Sequence, residues 1–159
     1  MVGDFMNNMD GLTEDQKNSL RDKIIETAKK CLGVPYYLGA EWVDLTKIPD
    51  SLDCSELVEN CYLISGLRMP DGSQSQFNFS IPIPSDTIKR ADLAFFGKGG
   101  DTSKVYHVGM VFDDKNIIEA RGHQEGADFE TGKVILRPIN KWINYKPNFL
   151  GFRRHVKLI

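Results

Sequence analysis

The run SLDCSELVENCY, residues 51–62, sets a thiol between an aspartate and a serine. Asp53 is a good helix N-cap, and Glu56, three positions on, has the spacing of an acidic capping box. Cys54 then becomes the first helical residue. Its sulfur lies among backbone N–H groups that lack intrahelical partners, at the positive end of the helix. Such surroundings, and a neighbouring imidazolium, favour the thiolate, which is the nucleophilic form. Glu56 works the other way, because a nearby carboxylate disfavours a second negative charge. On these residues alone two readings of Cys54 are open: a nucleophile, or a buried filler, since free Cys is among the most buried residue types.

A nucleophilic thiol needs a base from a separate element, close in space rather than in sequence. His107 lies in YHVGMVF (106–112), a strand apolar on both faces and therefore central. Gly109 shares its face and leaves room for a helix or a ligand to approach. The alternative for His107 is a satisfied core histidine. A third group must orient the imidazole, and Glu119 is a lone acid inside NIIEA (116–120). Strand parity decides its reach. A three-residue turn at Asp113, Asp114 and Lys115 pairs Met110 with Ile118 and Gly109 with Glu119, which sets Glu119 diagonal to His107 on one face. A two-residue turn sends it to the opposite face. His123 has the same parity and is the rival. The plainer readings are an exposed strand residue for Glu119 and a loop residue for His123.

The elements that must hold these groups are legible in outline. The chain has 159 residues and a net charge of −2. Residues 1–12 read as a flexible leader and 13–159 as one domain. The opening MVGDFMNNMDGL lacks the basic start and apolar run of a signal peptide, so synthesis in the cytoplasm without one is the expectation. No stretch has the length of a membrane span, and the mild acidity argues against nucleic acid as the main partner. Thr13 and Gln16 form a capping box, Leu20, Ile24, Ala28 and Cys31 repeat at helical spacing, and Gly33 ends the run. Cys31 and Cys61 lie on apolar helix faces and read as packing. Cys54 and Cys61 stand about 10 Å apart along one helix, too far to bridge. Without a Cys-x-x-Cys and with scattered histidines, a zinc site has little support. Residues 67–89, with three prolines among Ser and Gln, read as a long surface loop. GKGGDTSK (97–104) reads as a rim or as a hairpin connection. Strands are expected at 91–96, 104–112, 116–121, 133–139 and 149–154. Helices first and strands after give an α+β fold with helices packed on a central antiparallel sheet.

In combination, LGVPYYLGA (32–40), DCSELV (53–58), RADLAFF (90–96) and HVGMVF (107–112), followed by Glu119, resemble the NlpC-type family of papain-like cell-wall cysteine peptidases. The match runs from about Leu32 to Gly122 in order and spacing. The resemblance implies a thiol endopeptidase acting on stem peptides of bacterial peptidoglycan, typically at the bond from D-glutamate to a diamino acid. Cys54 resembles its nucleophile, His107 its base and Glu119 its orienting residue. Tyr36 resembles the tyrosine near the oxyanion, and Asp53 and Ser55 resemble positions that hold the free amine of the peptide. Wall peptides are rich in carboxylates, which Arg121 is placed to meet, a solvated strand end being its other reading. The chemistry needs no metal or cofactor. Glu119 stands where His, Asn or Gln is more usual, Glu56 replaces a glycine, and Ala40 and Ala91 also replace glycines. Two other functions share the fold: a binding or assembly module without activity, such as a phage structural component, and an acyltransferase on the same Cys54–His107 dyad. A phage particle or a secretion machine is the expected means of delivery to the wall.

Overall fold

The computed structural model describes residues 11–159; residues 1–10 of the expected leader lie outside them. Helix α1, Glu14–Lys30, starts at a reciprocal capping box. The Thr13 hydroxyl accepts from the Gln16 N–H at 3.2 Å, and the Gln16 side chain accepts from the Thr13 N–H at 2.9 Å. Glu14 and Asp15 in its first turn and Lys29 and Lys30 in its last suit the helix dipole. Helix α2, Cys54–Ser65, is capped by Asp53 and stopped by Gly66 in the left-handed region.

A six-stranded sheet follows, ordered β1-β6-β2-β3-β4-β5 and antiparallel throughout. Its strands are β1 (Ile81–Ile83), β2 (Leu93–Gly97), β3 (Val105–Val111), β4 (Asn116–Arg121), β5 (Lys133–Pro138) and β6 (Phe149–Arg154). α1 and α2 cover one face, where Ile24, Ala28, Leu57, Val58 and Cys61 pack with Phe95, Val108, Met110 and Ile118. Each Val, Leu, Ile, Phe and Met side chain among them contributes roughly 1.5–3 kcal/mol. Ala94, Phe96, Val111 and Ile117 form the second face with Trp142 of the short helix α4 (Ile139–Ile143). β2 and β3 are thus buried on both sides, as a near-continuous apolar run requires. The α+β architecture with an antiparallel sheet expected from the order of elements is the one observed, and 97–104 holds the β2–β3 hairpin connection.

Two segments depart from expectation. Within 67–89 lie helix α3, Ser73–Phe79, and the edge strand β1. Polar composition conceals α3 because only Gln76 and Phe77 are buried in it. Gln76 donates to the carbonyls of Ser55 and Pro70, both at 3.0 Å, and Phe77 meets Phe95 edge-on at 5.2 Å. Pro82 is tolerated because β1 is an edge strand. The second departure is α4, which begins at the end of what reads as a strand. Among the described residues no helix is long and apolar enough to cross a membrane.

Candidate active site

The turn after β3 decides the register. Met110 pairs with Ile118 and Val111 with Ile117, the register of the three-residue turn. His107 and Glu119 lie beyond these two pairs. α2 packs on both strands, and its first residue, Cys54, lies close enough to the imidazole to act on it.

Glu119 is fully buried, where an exposed strand residue was one expectation. Its Oε1 lies 2.9 Å from His107 Nε2. His123, the rival, is exposed in the β4–β5 connection. Glu119 is held below the usual carboxylate range: burial opposes this, but the hydrogen bond and charge of His107, then Arg137 and Arg121, outweigh it. An ionised Glu119 requires the proton on His107 Nε2, which leaves Nδ1 for the thiol. Burial alone would lower the affinity of His107 for a proton. The neighbouring Cys54 sulfur and the hydrogen bond to Glu119, with their charges, reverse this and raise its pKa to about 9. The sulfur and the ring are close enough for that influence without meeting the geometry of a full hydrogen bond.

The ring is also fixed by stacking. Trp142 and Phe96 lie near-parallel to the imidazole at 5.3 and 5.8 Å. Trp142 then donates its Nε1–H to Glu119 Oε2 at 2.7 Å. Gly109 makes this approach feasible, since a Cβ there would lie 2.9 Å from the Trp142 ring and 2.7 Å from Ile117. The space left by Gly109 is filled by α4.

On the thiol side, Asp53 Oδ1 accepts from the Glu56 N–H at 2.9 Å and the Ser55 hydroxyl at 3.2 Å, and Oδ2 accepts from the Gly39 N–H at 3.1 Å. The reciprocal half of the expected capping box does not form. Glu56 Oε1 instead accepts from the Trp42 N–H at 3.1 Å and from Asn60 at 2.8 Å, a non-local backbone donor competing successfully with the cap. Together Asp53 and Glu56 strap the 36–42 loop onto α2. Tyr36 rests its ring on Gly122 and is half-buried. Burial, then the charges of Cys54 and Asp53, push its pKa up to about 12, so the hydroxyl keeps its proton. Among the described residues that hydroxyl has no hydrogen-bond partner. Beside this loop lies a cavity of about 650 Å3, lined among others by Trp42, Asp53, Ser55, Glu56, Glu59 and Asp71. Burial, then Glu56 and Asp71, raise Glu59 to about 7.

Arg121, expected to meet a substrate carboxylate, donates to Glu119 at 3.3 Å and to Gln124 at 2.8 Å. Trp142 and Arg137 escaped the sequence reading, and Glu56 was read there only as a cap and a nearby charge. No local signal points to Trp142, and a lone charge inside the apolar run 134–139 is the one signal for Arg137. All three cysteines are free and buried.

Fold and constellation are of the papain-like class: a thiol at a helix N-terminus faces an imidazole from an antiparallel sheet, with a carboxylate behind it. The NlpC/P60 family model matches residues 33–138, two thirds of the chain, and the chain belongs to that family. It is 30% identical over 125 residues to the peptidoglycan endopeptidase RipB of Mycobacterium tuberculosis, covering 74% of this chain and 47% of that protein. It is 28% identical over 135 residues to a gamma-D-glutamyl-L-lysine dipeptidyl-peptidase of Bacillus cereus, covering 85% of this chain and 36% of the relative. The chain thus spans less than half the length of these relatives. Among solved structures, an NlpC/P60 family protein of Bacillus cereus superposes with a TM-score of 0.70 at 26% identity, over 86% of this chain and 40% of that one.

Proposed function

We propose that this domain is a cysteine peptidase that hydrolyses amide bonds in the stem peptides of bacterial peptidoglycan, at the bond from D-glutamate to a diamino acid. One observation carries the reading: Glu119 holds the Nε2–H of His107, so that Nδ1 is the nitrogen left to take and hold the proton of Cys54 at the N-terminus of α2. The activities of the relatives, peptidoglycan endopeptidase and gamma-D-glutamyl-L-lysine dipeptidyl-peptidase, agree with it.

The steps follow from the groups present. His107 Nδ1 takes the thiol proton, and the thiolate adds to the amide carbonyl carbon. The Cys54 N–H, one of the unpaired donors of the first turn, and the Tyr36 hydroxyl stabilise the oxyanion. One such donor is worth about 2.7–4 kcal/mol in comparable hydrolases. As the C–N bond breaks, His107 returns its proton to the leaving amine, and the acyl group stays on Cys54. Water, deprotonated by His107, then releases the acid. The acidic cavity beside Asp53 and Ser55 suits the free amine of the peptide.

The test is digestion of purified wall by the native chain and by Cys54→Ala, followed by counting new amino groups. Native protein releases them and the variant falls to background. A folded native chain that binds wall and releases none would favour a binding module. Transfer of the acyl group to an added amine without net hydrolysis would favour an acyltransferase.

A further inference from the structure

One buried charge has no part in the steps above. Arg137 on β5 has only a tenth of its side chain exposed, and its Nη1 has no hydrogen-bond partner. Burial lowers the affinity of this guanidinium for its proton, Glu119 restores some of it, and Arg121 opposes it by like charge. Its closest counter-charge is Glu119 Oε1 at 3.8 Å, and its flat face lies over Phe129 at 4.3 Å. Leaving a guanidinium dry and short of partners is costly, and packing on Phe129 does not repay it.

The same oxygen explains the arrangement. Oε1 of Glu119 serves His107 at 2.9 Å, Arg121 at 3.3 Å and Arg137 at 3.8 Å, while Oε2 is taken by Trp142. A buried carboxylate facing an imidazolium alone would hold its proton very firmly, whereas a general acid works best when its pKa is near the working pH. We propose that Arg137 is a positioning residue that acts through Glu119: its charge draws part of the carboxylate away from His107, so that the imidazolium can give up its proton to the leaving group. This rests on the peptidase reading for its purpose, not for its measurement. Cys54 from α2 and Glu119 from β4 act on His107 directly; Tyr36 lies near Cys54, Arg121 from β4 and Arg137 from β5 act on Glu119, and Tyr145 and Asp128 act on Arg137.

The test is the titration of His107 by NMR, in the native chain, Arg137→Met and Arg137→Lys. Removing a positive charge at this range raises the midpoint by about one pH unit in Arg137→Met. Arg137→Lys keeps the charge and stays near the native value. On wall peptide, kcat falls in Arg137→Met while KM holds. Should Arg137→Met fail to fold, Arg137→Gln, polar but uncharged, is read in its place. An unmoved or lowered midpoint, or an equal shift in Arg137→Lys, overturns the proposal. If no Cys54-dependent cleavage is found, the peptidase reading fails, and the midpoint still decides the role of Arg137.

Discussion

Two carboxylates, Asp92 and Glu119, are each fully buried between two arginines, yet they are built differently. Asp92 is saturated. Arg154 grips it through Nε and Nη2, both at 2.8 Å, Arg21 reaches it at 3.2 Å, and the Lys89 N–H donates at 2.7 Å. Arg21 and Arg154 spend other donors on carbonyls of Leu158 and Thr87. Glu119 has looser arginines at 3.3 and 3.8 Å, and buried nitrogens of Arg121 and Arg137 lack partners. Its short bonds go to His107 and Trp142. The first knot ties α1, β6 and the start of β2 together. The second keeps a ring in one orientation and one tautomer. On the proposed reading the fully satisfied cluster serves the fold, and the one with spare donors and a titratable member serves the chemistry.

Removing each carboxylate should separate the two roles. Asp92→Asn leaves two arginines short of charge in a dry site and should cost about 3–5 kcal/mol of unfolding free energy in urea titrations. Glu119→Gln should cost less stability, because Arg121 keeps Gln124 and both guanidiniums keep Phe129. Its loss should fall on catalysis, roughly 10²-fold or more in kcat/KM. Equal stability losses with no selective loss of turnover would erase the distinction.

The titratable member gives a second contrast, in pH. The pKa of His107 is raised from 6.5 to about 9 in the folded chain. Its contribution is therefore fully present below 6.5 and is lost as pH rises through about 9. The shift corresponds to roughly 3 kcal/mol. Urea midpoints of the native chain should decline across this window, and those of His107→Gln should decline less. The decline should survive Asp92→Asn. The alkaline limb of turnover should move to lower pH in Glu119→Gln.

The smallest effect sharpens the structural side. Ala91, next to Asp92, has φ of 72°, a conformation that favours glycine. Ala91→Gly should raise stability by about 0.5–1 kcal/mol in the same titrations, the relief of strain exceeding the added chain entropy. The replacement of glycine at this position thus leaves the turn in its left-handed form.

The thiol side was more legible in sequence than the carboxylate side. Asp53, Cys54 and the helix they open are local, set by cap chemistry within four residues. Glu119 needed only strand parity and a turn length. Arg137 and Trp142 come from β5 and a five-residue helix, and nothing in their own neighbourhoods states what they touch. Helix α3 was hidden because its stability comes from Gln76 and Phe77 rather than from an apolar stripe. Glu56 was read as half of a local cap because a sequence does not display the Trp42 N–H that captures it.

Trapping the covalent intermediate tests the chemistry most directly. Native protein mixed with a defined stem peptide, quenched in acid and weighed by mass spectrometry, should gain on Cys54 the mass of the fragment on the acyl side of the cut bond, and Cys54→Ala should gain nothing and release nothing. Cleavage that proceeds with Cys54 unmodified, or that persists in Cys54→Ala, would contradict the account.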